Sequence, residues 1–543
     1  MRPAHSGGLP QWPRTALPEG LTEATHRLRD RIRERTDPDG RVHDPCHSRV
    51  LESALLLSLL DRTRAEPAAR ARVAGYLTAH RASPVPLDRF LADAALGGRP
   101  GADRAFDMDG FLARVPDFTG ARKQALLHTI LLLLGAGSAT AEPPPPAAYR
   151  LDGLQSWARV QVTAVKVIQA GARGRSVPIG PRDVELLRST QRPGRVWQGN
   201  LLVHLCVLHA LDRLPGHRET VAEGIRGALE HQRPDGGLPF IRDEDTWLTA
   251  VTGVALHTAG ADRPLLDAVT RRLLRLQRSD GGWSYSEDAH LSDVDCTSAA
   301  TEALHLADPV AHRAPIGRAI DFLLPLRGAD GGFPTYGSGA PSEACMTAAA
   351  VNALSTQDHR QPTEVEAALA FLASQQHRDG SFPPDWSTSR HHTVFRAVLA
   401  AGRHPDHTSP GSPAHRVISR AVRLVAGSQN TDGGWGGTSG AASDALSTAY
   451  ALVVLGSHGG TPGAAGRGAA YLLARQRSDG SIDGVPDSIG PRPFLFRVPA
   501  LADAFALLAL GHLAGRLAPA PPPPPARHPD GSGRRERNLT VHG

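Results

Sequence analysis

The chain has 543 residues, enough for two or three domains with sizeable cores, and a formal charge of +6 from 60 Lys and Arg against 54 Asp and Glu. The positive charge is spread along the chain rather than gathered in a stripe, which argues against a nucleic-acid binder. Cys46, Cys206, Cys296 and Cys345 fit neither a disulfide framework nor paired zinc knuckles, and no apolar run is long enough to span a bilayer. The start of the chain lacks a signal-peptide pattern, so a cytoplasmic protein without a transmembrane segment is expected.

In chain order, residues 1–19 read as a flexible N-terminus. Residues 20–215 carry helical patterns such as SRVLESALLLSLLDR and TGARKQALLHTILLLLGAG, interrupted by a Pro-rich break at 141–149, and are expected to form a helical domain. From residue 216 a repeat dominates. QRPDGG, QRSDGGW, RGADGGF, QHRDGSF, QNTDGGW and QRSDGS place their aspartates at 235, 280, 330, 379, 432 and 479, at intervals of 45, 50, 49, 53 and 47 residues. Each repeat has a helix charged on one face, an Asp-Gly turn, and a second helix that is apolar nearly all round. Six outer–inner pairs over 216–515 predict an all-α (α/α)6 barrel, closed rather than open. The Pro/Arg-rich stretch 516–543 is expected to be disordered.

One inner helix opens on LSDVDCTSAATEAL, residues 291–304. Asp293 and Asp295 at a helix N-terminus read either as caps or as a pair sharing a proton. Aligning the inner helices on their threonines brings Trp247, Asp295, Cys345 and His391 to one ring, so Cys345 is expected beside Asp295 as a hydrogen-bond donor, with His391 or His392 as its rival. Trp247, Tyr336, Trp386 and Phe395 are candidate aromatic walls for a cation, while Trp283 and Trp435 in the DGGW turns read as structural packing. Arg122 and Lys123 are a candidate basic grip for an anionic group, and Asp243, Glu244 and Asp245 a candidate Mg2+ site.

The QxxDGGW turn followed by an inner helix opening on Thr-Ala resembles the prenyltransferase/squalene oxidase repeat superfamily. The segment SDVDCTSA resembles the DxDD motif of class II terpene cyclases, a class that includes squalene–hopene and oxidosqualene cyclases, and DWSTSRHHTVFRAVLA (385–400) is similar to a second segment of that class. By this resemblance 216–515 corresponds to the β domain, and 20–215 more loosely to the γ domain, of the bacterial two-domain enzymes. It implies an isomerase of terpenoid secondary metabolism that protonates the far end of an isoprenoid, with Asp295 as the general acid and Asp293 as its partner; for such a substrate the aromatic content of 5% favours C15 or C20 over a longer chain, and Arg122 and Lys123 would grip a diphosphate, with Mg2+ at Asp243, Glu244 and Asp245. The fourth motif position departs from the pattern: it is Cys296. Asp-Cys-Thr resembles the oxidosqualene cyclase segment, which raises a terminal epoxide as an alternative to a plain polyprenyl diphosphate. Two other readings share the barrel: a protein prenyltransferase β-like zinc enzyme drawing on Cys296 and His392, and a non-catalytic scaffold. The oligomeric state is open.

Overall fold

The computed structural model describes residues 10–98, 106–112, 119–137, 144–172, 178–357 and 361–517; the predicted flexible residues 1–9 and the tail from 518 lie outside the described residues. The Asp-Gly turns set the geometry. Gly236, Gly281, Gly331, Gly380, Gly433 and Gly480 all have φ between 82° and 98°, a region that favours glycine. The preceding aspartate accepts a hydrogen bond from the N–H two residues on, 3.0 Å at Asp280 and 3.1 Å at Asp432. A Cβ at Gly281 would sit 2.3 Å from the Arg318 carbonyl oxygen, so this turn lies flush on the next outer helix. The Gln277 amide ties the same turn to that helix, donating to Pro315 O at 2.8 Å. Trp283 and Trp435 are fully buried, and their indole N–H groups donate to Leu273 and Val425 carbonyls, each at 2.8 Å.

Six inner helices follow: α1 (Asp245–Thr258), α2 (Val294–Ala307), α3 (Ala344–Leu354), α4 (His391–Gly402), α5 (Ala445–Ser457) and α6 (Ala500–Ala514). Each packs on the next, and α6 packs back on α1, so the ring is closed. Most of their residues are buried, as the nearly all-apolar sequences require. Outer helices Arg263–Leu276, Arg313–Leu323, Pro362–Gln375, Pro413–Gly427 and Pro462–Leu473 each back one inner helix.

The sixth outer helix differs from the expected one and corrects the domain boundary. It is Leu21–Glu34, which packs on α6, with Arg29 donating to Gly260 O at 2.8 Å. Its turn, TDPDGRV at 36–42, is a repeat without the Gln or the aromatic residue; Gly40 packs against Ala268 of the outer helix Arg263–Leu276. Conversely, the predicted first outer helix, Arg218–Leu229, packs on Leu201–Leu211, and its QRPDGG turn sits on Arg72 of helix Pro67–His80. That neighbourhood is a second, smaller helical ring in which Val50–Thr63, Gly120–Leu133, Ser156–Ala172 and Leu201–Leu211 pack in a circuit. The chain therefore crosses between the rings twice. The two crossings pair antiparallel, Ser48 with Pro239 and Arg49 with Leu238. Residues 10–19, expected to be flexible, are also anchored: Trp12 is buried, with the Arg516 guanidinium 4.4 Å above its ring. No helix among the described residues is long and apolar enough to cross a membrane.

Candidate active site

Asp293 is the N-cap of α2. Its carboxyl accepts from the Cys296 N–H at 2.7 Å and also takes a hydrogen bond from the Cys296 thiol. Burial pushes Asp293 up to about 7 against those hydrogen bonds, and burial likewise raises the Cys296 thiol well above its usual range. Asp295, one residue into the helix, turns toward Arg396 of α4. Arg396 Nη1 donates to Asp295 Oδ1, while Nη2 lies a long 3.4 Å from Oδ2. Arg396 is buried; burial opposes its charge most strongly, but Asp295, Cys345 and Asp385 together outweigh it and the guanidinium is raised overall. Arg396 had no part in the sequence reading. Its signal was a long cation inside the otherwise apolar HTVFRAVLAAG, since a buried Arg needs an anion beside it.

Cys345 and His391 do not serve Asp295 as expected. Among the described residues both buried ring nitrogens of His391 lack a hydrogen-bond partner; burial drives it down to about 3, so it is neutral, and it does not line the cavity. Its neighbour His392 reaches the cavity instead. His392 Nδ1 lies 2.9 Å from Asp385 Oδ2 and 3.6 Å from Cys345 Sγ. These three residues are the group among the described residues whose donor atoms lie close enough to hold a metal ion. Asp385 already accepts from His392, from Thr393 Oγ1 and, at 2.7 Å, from the Ser387 N–H; despite burial it is lowered to about 2. Cys296 belongs to no such group, which removes the zinc pairing of Cys296 with His392.

The proposed Mg2+ trio does not converge. Asp243 accepts from Arg242 at 2.5 Å, and Asp245 Oδ2 lies 2.8 Å from His43 Nδ1 and 3.6 Å from Arg41. Both carboxylates pin the crossings between the rings. Glu244 alone turns to the cavity, where it has no hydrogen-bond or ion-pair partner among the described residues. Burial, then the charge of Asp295, pushes it up to about 8. The residues present do not fit a Mg2+ site.

Asp293, Asp295, Glu244 and His392 line one cavity of about 500 Å3 between the two rings. Its walls are aromatic. Trp247, Tyr336 and Trp386 line it, with Tyr285 and Tyr450 from the barrel. The second ring contributes Trp157, edge-on to Tyr336 at 5.1 Å. Phe395 does not reach this space; it stacks on Tyr450 at 5.0 Å from behind. Arg122 and Lys123 enter from the second ring. Lys123 has no anion paired with it among the described residues; burial, then Arg492 and Arg122, lower it to about 7. Arg492, missed in the sequence, lies 4.1 Å over Trp386 and pairs with Glu343.

An aromatic cavity with buried carboxyls on a closed α/α ring defines a helical-toroid enzyme of prenyl chemistry. The domain models agree: residues 200–384 match the prenyltransferase alpha-alpha toroid domain and residues 338–514 the squalene-hopene cyclase C-terminal domain. The chain belongs to the class II terpene cyclases, isomerases that begin cyclisation by protonation. It is 41% identical to a drimenyl diphosphate synthase of Streptantibioticus cattleyicolor, over 91% of this chain and 94% of that protein. It is 38% identical to a drimenyl diphosphate synthase of Streptomyces showdoensis, over 90% and 93%. Its fold is similar to that of ent-copalyl diphosphate synthase from Streptomyces platensis, with a TM-score of 0.57 and 18% identity over 92% of this chain and all of that one.

Proposed function

We propose that the protein cyclises farnesyl diphosphate to a bicyclic drimenyl-type diphosphate, with Asp295 as the general acid. The similarity to two drimenyl diphosphate synthases across nine-tenths of the chain carries this reading. The site supports it. The acid belongs to the barrel and the cations Arg122 and Lys123 to the second ring, so a C15 substrate spanning their junction brings its tail to Asp295 and its diphosphate to the cations. The cavity volume lies in the range of small-ligand pockets.

Asp295 Oδ2, the oxygen Arg396 contacts weakly, carries the proton to the terminal alkene carbon. The strong Arg396 contact at Oδ1 stabilises the carboxylate left behind. Glu244 and Asp293 lie beside it as carboxyls that burial raises to about 8 and about 7, so both hold protons near neutrality. The cation then forms against the faces of Trp247, Tyr285, Tyr336, Trp386 and Tyr450 and ends as an alkene by losing a proton. Asp293 caps the helix and fixes the direction of Asp295. Cys296 supports Asp293 and need not signify an epoxide substrate.

The test is product analysis. Purified protein and Asp295→Ala are incubated with farnesyl and geranylgeranyl diphosphates and their terminal epoxides, with and without Mg2+, then treated with phosphatase and examined by gas chromatography–mass spectrometry. A bicyclic C15 alcohol released only by phosphatase, and absent with Asp295→Ala, is expected. Turnover of the epoxides alone, or of the C20 substrate alone, would refute the assignment.

A further inference from the structure

A cyclisation begun by protonation ends when the product cation loses a proton, and the group that takes it must face the cavity. Among the described residues six carboxyls line that space: Asp152, Glu244, Asp293, Asp295, Glu343 and Asp487. Asp295 serves as the acid in the proposed reaction. Glu244 and Asp293 hold protons near neutrality, Glu343 is paired with Arg492, and Asp152 sits on an exposed turn. Asp487 differs from all of these. It is buried, forms no ion pair among the described residues, and its side chain accepts from three hydroxyls. These are Ser387 Oγ at 2.7 Å, Thr388 Oγ1 at 2.9 Å and Tyr450 Oη at 3.1 Å. In each contact Asp487 is the acceptor, the part a carboxylate plays.

Three tyrosines line the same cavity. Tyr285 donates to the Gln198 carbonyl oxygen at 3.3 Å, an acceptor that does not take up a proton. Among the described residues Tyr450 is the one of the three that donates to a carboxylate. Its ring is held fast, stacked on Phe395 at 5.0 Å and edge-on to Phe505 at 4.9 Å, so its hydroxyl keeps one position. Asp487 is fixed in turn by its backbone carbonyl, which accepts the Thr388 N–H at 3.0 Å. Tyr450 belongs to α5 and Asp295 to α2. In a closed ring of six helices these two are three places apart, on opposite walls.

We propose that Tyr450 is the base that ends the reaction, with Asp487 behind it as the final acceptor. The C–H bond next to the cationic carbon breaks, and its electron pair becomes the π bond of the alkene. The proton goes to Tyr450 Oη while the Oη–H proton passes to Asp487 Oδ2. A hydrogen beside a carbocation is acidic enough for a neutral phenol oxygen to accept it, so no phenolate is needed. One proton enters at α2 and one leaves at α5, so substrate and product are isomers. Asp487 then releases its proton to solvent beside Val485 and Pro486, which are exposed. Tyr450 meets the cation; Asp487 acts through it, as a positioning and relay residue.

The inference rests on the cyclisation of farnesyl diphosphate, and the experiment separates the two claims. Full-length Tyr450→Phe keeps the ring and removes the oxygen. Asp487→Asn keeps an acceptor for the Tyr450 hydroxyl and removes the group that takes up the proton. Substrate consumption and the products after phosphatase treatment are measured for both, beside wild type and Asp295→Ala. Both variants are expected to consume farnesyl diphosphate within about tenfold of the wild-type rate, because protonation is untouched, while the share of the wild-type alkene falls at least about tenfold. Alkene isomers that lose a different hydrogen, and bicyclic alcohols formed by capture of water, should take its place. Wild-type product shares in either variant, or consumption lowered as far as in Asp295→Ala, would overturn the base assignment alone. A wild type that forms no bicyclic product would overturn the substrate reading, and the base assignment with it.

Discussion

Arg396→Met removes the charge behind Asp295 while keeping a long, flexible side chain in its place. The pair it breaks is buried: Arg396 is 6% exposed and the Asp295 side chain 17%. Losing one partner of such a pair strands the other charge, at a cost of about 3–5 kcal/mol of folding stability. Under the proposed mechanism the same guanidinium stabilises the carboxylate that forms as the proton leaves, and loss of one preorganised donor of this kind lowers kcat by about 10²–10³-fold. The variant is therefore expected to unfold at lower guanidinium concentration and to turn over farnesyl diphosphate hundreds of times more slowly. Asp295→Asn/Arg396→Met holds no stranded charge and should recover most of the lost stability without recovering turnover. Denaturation midpoints and kcat for the two single variants and the double variant complete the cycle. Wild-type kcat in Arg396→Met, or stability losses that simply add in the double variant, would refute the claim that the two residues act as one unit.

The carboxyls of Glu244 and Asp293 stay protonated in the folded chain to about 8 and about 7, against 4.5 and 3.8 for the free side chains. The folded state thus binds more protons than the unfolded state in that window, so stability falls as pH rises from about 4 to 8; thermal melts across this range should show the slope, and Glu244→Gln should flatten it. Lys123→Met is expected to raise KM for farnesyl diphosphate by about 10- to 100-fold with little change in kcat, as for one lost hydrogen bond to a charged group of about 1.5–3 kcal/mol. Gly281→Ala forces a side chain into a left-handed turn and against the Arg318 carbonyl, and should cost about 1–3 kcal/mol, read as a lower Tm.

The repeat made the ring legible because a turn needing Asp, then a glycine at positive φ, leaves a fixed signature every 45–53 residues. Which ring each repeat serves was not legible. TDPDGRV had lost the Gln and the aromatic residue, while QRPDGG kept the full signature yet belongs to the neighbouring ring. Asp293 and Asp295 were visible from their position at an inner-helix start. What acts on them was less legible: Arg396 approaches from a face of α4 and Glu244 from the start of α1, where it was read as part of a Mg2+ site, and periodicity along one helix says nothing about what faces it. The threonine alignment misplaced His391 for a local reason: α4 begins at His391 itself, which turns its ring into the packing and leaves the next residue toward the cavity.

The helix that completes the barrel wall bears on the order in which the molecule is built. Leu21–Glu34 is made about 480 residues before α6, the helix it covers. At ribosomal speeds its apolar stripe of Leu21, Ala24, Leu28 and Ile32 waits roughly half a minute to a minute and a half for that partner. The barrel is thus a structure of very high contact order, closed by its most distant pairing, and its last step is slow and exposed to aggregation. A fragment cut at residue 216 would carry all six inner helices and still leave α6 uncovered, so the catalytic ring and its neighbour are one folding unit although they are two rings in space.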